Sequence, residues 1–173
     1  KHRIILAFCV CLLLLILAGG YSYLSTSKYE EASDWVDHSQ ELITNVESVY
    51  TSVREMEANV RGYVITNENH FIGPFERAVT NSRESLRTAL KLVEDNPGQQ
   101  QLLHEIGREL EAKIDFSYQV VKQNRDIGFD AAQQLILSRR GENLLASMRE
   151  QIDRFVDAEK QEMNFRMKEE ESR

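Results

Sequence analysis

The sequence predicts an all-α protein, an N-terminal transmembrane helix continuing into an elongated antiparallel up-down four-helix bundle. Three observations predict it. Apolar residues recur in steps of three and four through most of the chain, the spacing of one helix face. Of 173 residues only two are proline, and the helix-breaking residues cluster at a few points. An apolar run as long as a bilayer is thick stands at the start.

That run opens after Lys1-His2-Arg3, has no polar side chain over residues 4–18, and extends through Gly19, Gly20, Tyr21, Ser22 and Tyr23 to Leu24. A basic start and interfacial tyrosines at the far end orient such a span with its N-terminus in the cytoplasm. Residues 1–24 are therefore expected to be the transmembrane helix, held in the bacterial inner membrane through residues 4–24. Residues 25–173 are then the periplasmic or extracellular bundle domain. Cleavage as a signal peptide near Ala18-Gly19-Gly20 is the rival reading. Both cysteines, Cys9 and Cys11, fall inside the run, so the outer domain holds no disulfide. From a start without methionine and an acidic end, the chain is expected to be a piece of something longer.

The first helix continues from the span to about Thr66. Trp35, Ser39, Leu42, Val46, Val49, Val53, Met56, Val60 and Tyr63 form a packing seam along it, with one polar member. A second row runs Val36, Ile43, Tyr50, Glu57 and Val64. Glu57 thus takes a place where four neighbours are mostly apolar, and Arg61 stands one turn later in the order that favours an ion pair. The pair reads as a structural clamp or as a switch and ligand contact. Gly62 would admit a close neighbour or a bend, so Glu57, Arg61, Gly62 and Thr66 are the candidate signal and hinge residues. On this reading Gly62→Leu alters signalling more than stability.

Three further helices follow. Capping side chains at residues 66–69 precede a stripe of Phe71, Phe75, Val79, Ser82, Leu86, Leu90 and Val93, with Pro74 in its first two turns. Residues 95–99 predict a tight reversal, with Asn96 as cap, Pro97 at the first helical position and Gln99 as the reciprocal capping partner. The third stripe is Leu103, Ile106, Leu110, Ile114, Ser117 and Val121. Gly128 is a helix stop, and Asp130 caps a short turn over residues 131–137. The last helix starts near Glu142, with Leu145, Met148, Ile152, Phe155, Val156, Glu159, Met163 and Met167 on one face. The methionines read as adaptable core filling.

The net charge of -7, spread along helices without a basic patch, argues against nucleic acid as a partner. The four histidines lack paired spacing, so no metal site is expected. There is no phosphate loop, serine elbow or metalloprotease motif, and no cofactor or catalytic residue is expected in this piece. His38 and Glu159 fall at comparable distances from the membrane on the first and last helices. They are either a candidate stalk contact or two solvated side chains. Arg139 and Arg140 could attract an anion at the far end or form a solvated loop.

Trp35-Val36-Asp37-His38, the 57–66 stretch with Arg61-Gly62-Tyr63 and Ile65-Thr66, the Asp95-Asn96-Pro97 turn with Gln99 and Gln100, and Arg140-Gly141 before Met148 carry a family likeness. Over residues 35–162 the chain resembles the third type of CHASE domain, the cyclase and histidine-kinase associated sensory extracellular domain. Asn67 departs from the glycine often found there. The resemblance implies an extracytoplasmic four-helix bundle feeding a cytoplasmic output module. The expected function is signal input to a two-component sensor histidine kinase, as a homodimer relaying an unknown small-molecule or protein signal by helix displacement. A diguanylate cyclase or chemoreceptor output, or a membrane-tethered adaptor bundle, is the alternative.

Overall fold

In the computed structural model the backbone is described over residues 2–171, and side chains at Ile16 and residues 35–169. The described chain is helical with no strand: α1 (His2–Thr66), a single 3-10 turn (Asn69–Phe71), α2 (Ile72–Leu92), α3 (Pro97–Asp126), α4 (Phe129–Leu137) and α5 (Arg140–Glu171). It divides into two compact units, Lys1–His38 and Ser39–Arg173. In the first, the backbone is helical from His2 onward; the side chains of the 4–24 run, Ile16 apart, lie outside the described residues. Among the described residues no helix is long and apolar enough to cross a membrane.

The second unit holds the core. Every position of the first seam from Ser39 to Tyr63 is buried, as are Ile43 and Val64 of the second row, while Tyr50 is half-buried. Facing them are Phe75, Ala78, Val79, Ser82 and Ala89 of α2, and Leu103, Ile106, Leu110, Ile114, Ser117 and Val121 of α3. Met148, Ile152, Phe155 and Val156 complete it from α5. Each fully buried Leu, Ile or Phe contributes about 1.5–3 kcal/mol over an exposed one, so the stripes give the helices their reason to stay together. α3 packs against α2, α4 and α5, and α4 also touches α5.

The reversals follow from local chemistry. α1 stops where Asn67 turns left-handed at φ 56°, a conformation asparagine tolerates better than most side chains. Its N–H donates to Tyr63 O at 2.7 Å. Asn96 caps α3, its side chain accepting from Gln99 N, with Pro97 first in the helix. Gly128, at φ 121°, separates α3 from α4, and Arg139, at φ 58°, ends α4 in the same left-handed manner as Asn67.

Four details differ from expectation. The Gln99 side chain does not complete a reciprocal cap; its Nε2 donates to Glu159 Oε2, because a buried carboxylate needs a donor more than an exposed helix end does. α4 starts at Phe129, with Gly128 rather than Asp130 at the cap position. α5 starts at Arg140, two residues before Glu142. Met167 is 48 % exposed, so the buried part of the α5 stripe ends before it.

Candidate functional site

The last turns of α1 lie against the start of α5 and the middle of α3. Arg61 Nη2 donates to Glu57 Oε1 at 2.7 Å, the intrahelical pair that the spacing predicts. Arg61 is largely outside, its side chain 62 % exposed, whereas Glu57 is 17 % exposed. The same Glu57 oxygen stands 3.7 Å from Lys113 Nζ of α3. Lys113 is the residue the sequence reading missed: its side chain is 2 % exposed, and its ammonium donates to Gly141 O at 2.9 Å. A signal was present, since Lys113 stands three residues after Leu110 and four before Ser117, both on the α3 stripe. A lysine there either snorkels out or meets a partner.

Burial pushes the Lys113 ammonium below the ordinary lysine range, Glu57 opposes that shift, and Arg61 adds to it. A charge taken out of water is costly unless it is paired and hydrogen-bonded. Glu57 and the Gly141 carbonyl supply that compensation from two different helices. Two cations stand by the Phe116 ring, Lys113 Nζ at 5.9 Å and Arg140 Cζ at 5.8 Å from its centroid, within the range of a cation–π contact.

Glycine is required at two places. A Cβ at Gly141 would lie 2.6 Å from the Phe116 ring and 3.2 Å from Lys113 Nζ. At Gly62 a Cβ would come within 2.5 Å of the Phe71 ring, so the neighbour that the bare backbone admits is an aromatic from the 3-10 turn. Thr66 closes the helix: its hydroxyl donates to Gly62 O at 2.9 Å and accepts from Glu68 N at 3.2 Å. Asn124 Nδ2 donates to Asn67 Oδ1 at 3.2 Å, tying α3 to the same corner.

A cleft of about 120 Å³ opens beside Lys113, between Glu57, Arg61 and Val60 of α1, Phe116 and Val120 of α3, Ile136 of α4, and Gly141 and Glu142 of α5. Of the four candidate signal residues the structure brings Glu57 and Arg61 to its wall, with Gly62 and Thr66 in the adjoining turn of the same helix. Of the candidate stalk pair, Glu159 is buried with Gln99 as its donor, and His38 is exposed and belongs to the first unit. Among the described residues, no three His, Cys, Asp or Glu side chains are grouped to hold a metal ion.

Comparison with known proteins fits this helical architecture. The CHASE3 domain matches residues 32–169, which defines the class: an extracellular sensory input module of a signalling receptor. The chain belongs to the CHASE3 domain family. Its structure is similar to the crystal structure of the Rhodopseudomonas palustris histidine kinase HK9 sensor domain, with a TM-score of 0.64 and 18 % identity. The similarity covers 70 % of this chain and 94 % of that one, and at that identity it bears on the fold alone. No curated protein matches the chain.

Proposed function

We propose that the chain is the periplasmic input module of a bacterial transmembrane receptor whose output is a histidine kinase, and that it signals by displacing its helices. Residues 4–24 span the inner membrane in this reading. Residues 25–173 form an antiparallel up-down four-helix bundle, paired with a second copy. The observation that carries the reading is the extent of the family match, residues 32–169, beginning soon after an apolar run of bilayer length. The kinase output is the proposed part of the reading, suggested by a similar sensor domain that belongs to a histidine kinase and decided by the phosphorylation test below.

Relay needs two packing arrangements close in energy, one of which the stimulus favours. Glu57 offers the means. One carboxylate serves both Arg61 of its own helix and Lys113 of α3, and a small shift of α1 along α3 changes which cation it satisfies. Glu57, Arg61, Gly62 and Thr66 form the hinge end of that movement.

The test is autophosphorylation of the full-length receptor in membrane vesicles, with and without Glu57→Gln. A changed basal rate with unaltered membrane insertion is expected. A receptor whose output ignores every substitution around Glu57 contradicts the relay, and synthesis of a cyclic dinucleotide in place of phosphorylation moves the output to a cyclase.

A further inference from the structure

The Lys113 ammonium has three N–H donors, and among the described residues only one has an acceptor in hydrogen-bond reach: Gly141 O at 2.9 Å. Glu57 Oε1, at 3.7 Å, attracts it but is too far for a hydrogen bond. A side chain almost wholly buried thus keeps donor capacity on the wall of a cleft. Buried donors of this kind are ordinarily satisfied.

The surroundings favour an anion. Gly141 and Glu142 of the wall lie in the first turn of α5, a 32-residue helix, whose first N–H groups have no intrahelical acceptors and favour negative charge. The charged side chains on the cleft wall are Arg61 and Lys113 against Glu57 and Glu142, and Arg140 stands near the Phe116 ring that also lines it. Glu142 is drawn outward to Arg139 at 4.0 Å, and Glu57 is engaged by Arg61. The rest of the wall is apolar: Val60, Val120, Ile136 and the Phe116 ring. The volume of about 120 Å³ is several times the roughly 10–15 Å³ that holds a single water, which leaves room for a carboxylate with a short aliphatic body.

We infer that the cleft binds a small aliphatic monocarboxylate, its carboxylate bridging Lys113 Nζ and the Arg61 guanidinium and its short tail lying on Val60, Val120 and Ile136. The inference deepens the sensory reading and rests on it for biological meaning, though not for the binding itself. A carboxylate arriving between the two cations competes with Glu57 for both, which couples occupancy to the α1–α3 contact.

Propionate is the probe, titrated calorimetrically into the full chain in detergent, with propionamide, chloride and phosphate in parallel. Saturable binding of propionate is expected, with propionamide and the inorganic anions at least roughly tenfold weaker, since the amide lacks the charge and the ions lack the tail. Arg61→Gln, exposed and outside the core, should weaken propionate by roughly tenfold. Ile136→Trp should block the cleft while leaving the fold intact, as checked by circular dichroism. No saturable heat with propionate, an equal response to propionamide or phosphate, or undiminished binding in both variants overturns the site. Failure here with stimulus-dependent phosphorylation still present leaves the receptor reading standing. Binding that holds while phosphorylation responds to nothing supports the site and counts against that reading instead.

Discussion

Lys113 Nζ lies 3.7 Å from Glu57 Oε1 with only 2 % of the lysine side chain exposed, so a lysine in the middle of α3 is held in the core by a carboxylate of α1. The arrangement is asymmetric. Glu57 has a second cation in Arg61 and some solvent; Lys113 has Glu57 and one carbonyl.

Removing the carboxylate should therefore cost more than removing the ammonium. Glu57→Ala leaves a buried charge with one neutral acceptor, and stability should fall by about 3 kcal/mol, the lower end for a broken buried pair. Lys113→Met keeps the volume and discards the charge, and should fall within about 1.5 kcal/mol of the parent. Urea unfolding followed by circular dichroism measures both; Lys113→Met proving the more damaging would show that the pair is not where the charge is compensated.

Two groups set opposite slopes in alkaline solution. Lys113 has a folded pKa below its ordinary 10.5, chiefly from burial. Between the two values the unfolded chain binds more protons, so stability rises with pH up to 10.5. Tyr118 behaves in reverse. Burial first, and then the hydrogen bond to Glu76 at 2.6 Å, push its phenol from 10.0 to about 12. Its contribution is complete below pH 10.0 and is lost as pH climbs towards 12. Unfolding across alkaline pH should show Lys113→Met losing the rise and Tyr118→Phe losing part of the fall. Tyrosinate absorbance titrating at ordinary pH in every tyrosine would refute the second half.

Gly62 and Gly128 should respond to alanine for different reasons. At Gly62 the new Cβ meets the Phe71 ring at 2.5 Å, an overpacking that costs about 1–3 kcal/mol. Phe71→Ala in the same chain should recover much of it, a coupling that a double-mutant cycle reads directly. The clash also bears on Gly62→Leu, for which a loss of stability now accompanies any change in signalling. At Gly128 nothing lies within 4 Å, but φ is 121°, so Gly128→Ala should cost about 1–3 kcal/mol from backbone strain alone. No second substitution nearby should rescue it.

Asn96→Ala removes the acceptor for Gln99 N and should cost about 1 kcal/mol, with Asn96→Ser restoring most of it. Thermal unfolding of the three chains is sufficient. An alanine chain as stable as the parent would mean that Pro97 and the packing of α3 specify this turn without the cap.

Much of the architecture was legible because the signals are local. The seam from Ser39 to Tyr63, the stop at Thr66, the Asn96–Pro97 start of α3 and the break at Gly128 each depend on side chains within a turn or two. The Glu57–Arg61 pair was legible for the same reason, being one turn apart on one helix. Gln99 was misread because its local partner lost to Glu159, sixty residues away. Asn67 and Arg139 show a related limit: their left-handed backbone serves the helix ends, and neither carries the glycine that advertises it.

By itself the amino-acid sequence determined that this chain is helical, where its helices break and which faces turn inward, since periodicity, caps and breakers act between near neighbours. Only the tertiary structure decided that Lys113 goes inward to meet Glu57 and Gly141, that Phe71 needs a bare Gly62, and that a cleft with spare hydrogen-bond donors opens there. Those contacts join residues up to 56 positions apart along the chain, Glu57 and Lys113 being the widest pair. The energy of bringing a charge out of water is settled by what stands opposite it in space, which no spacing along one helix records.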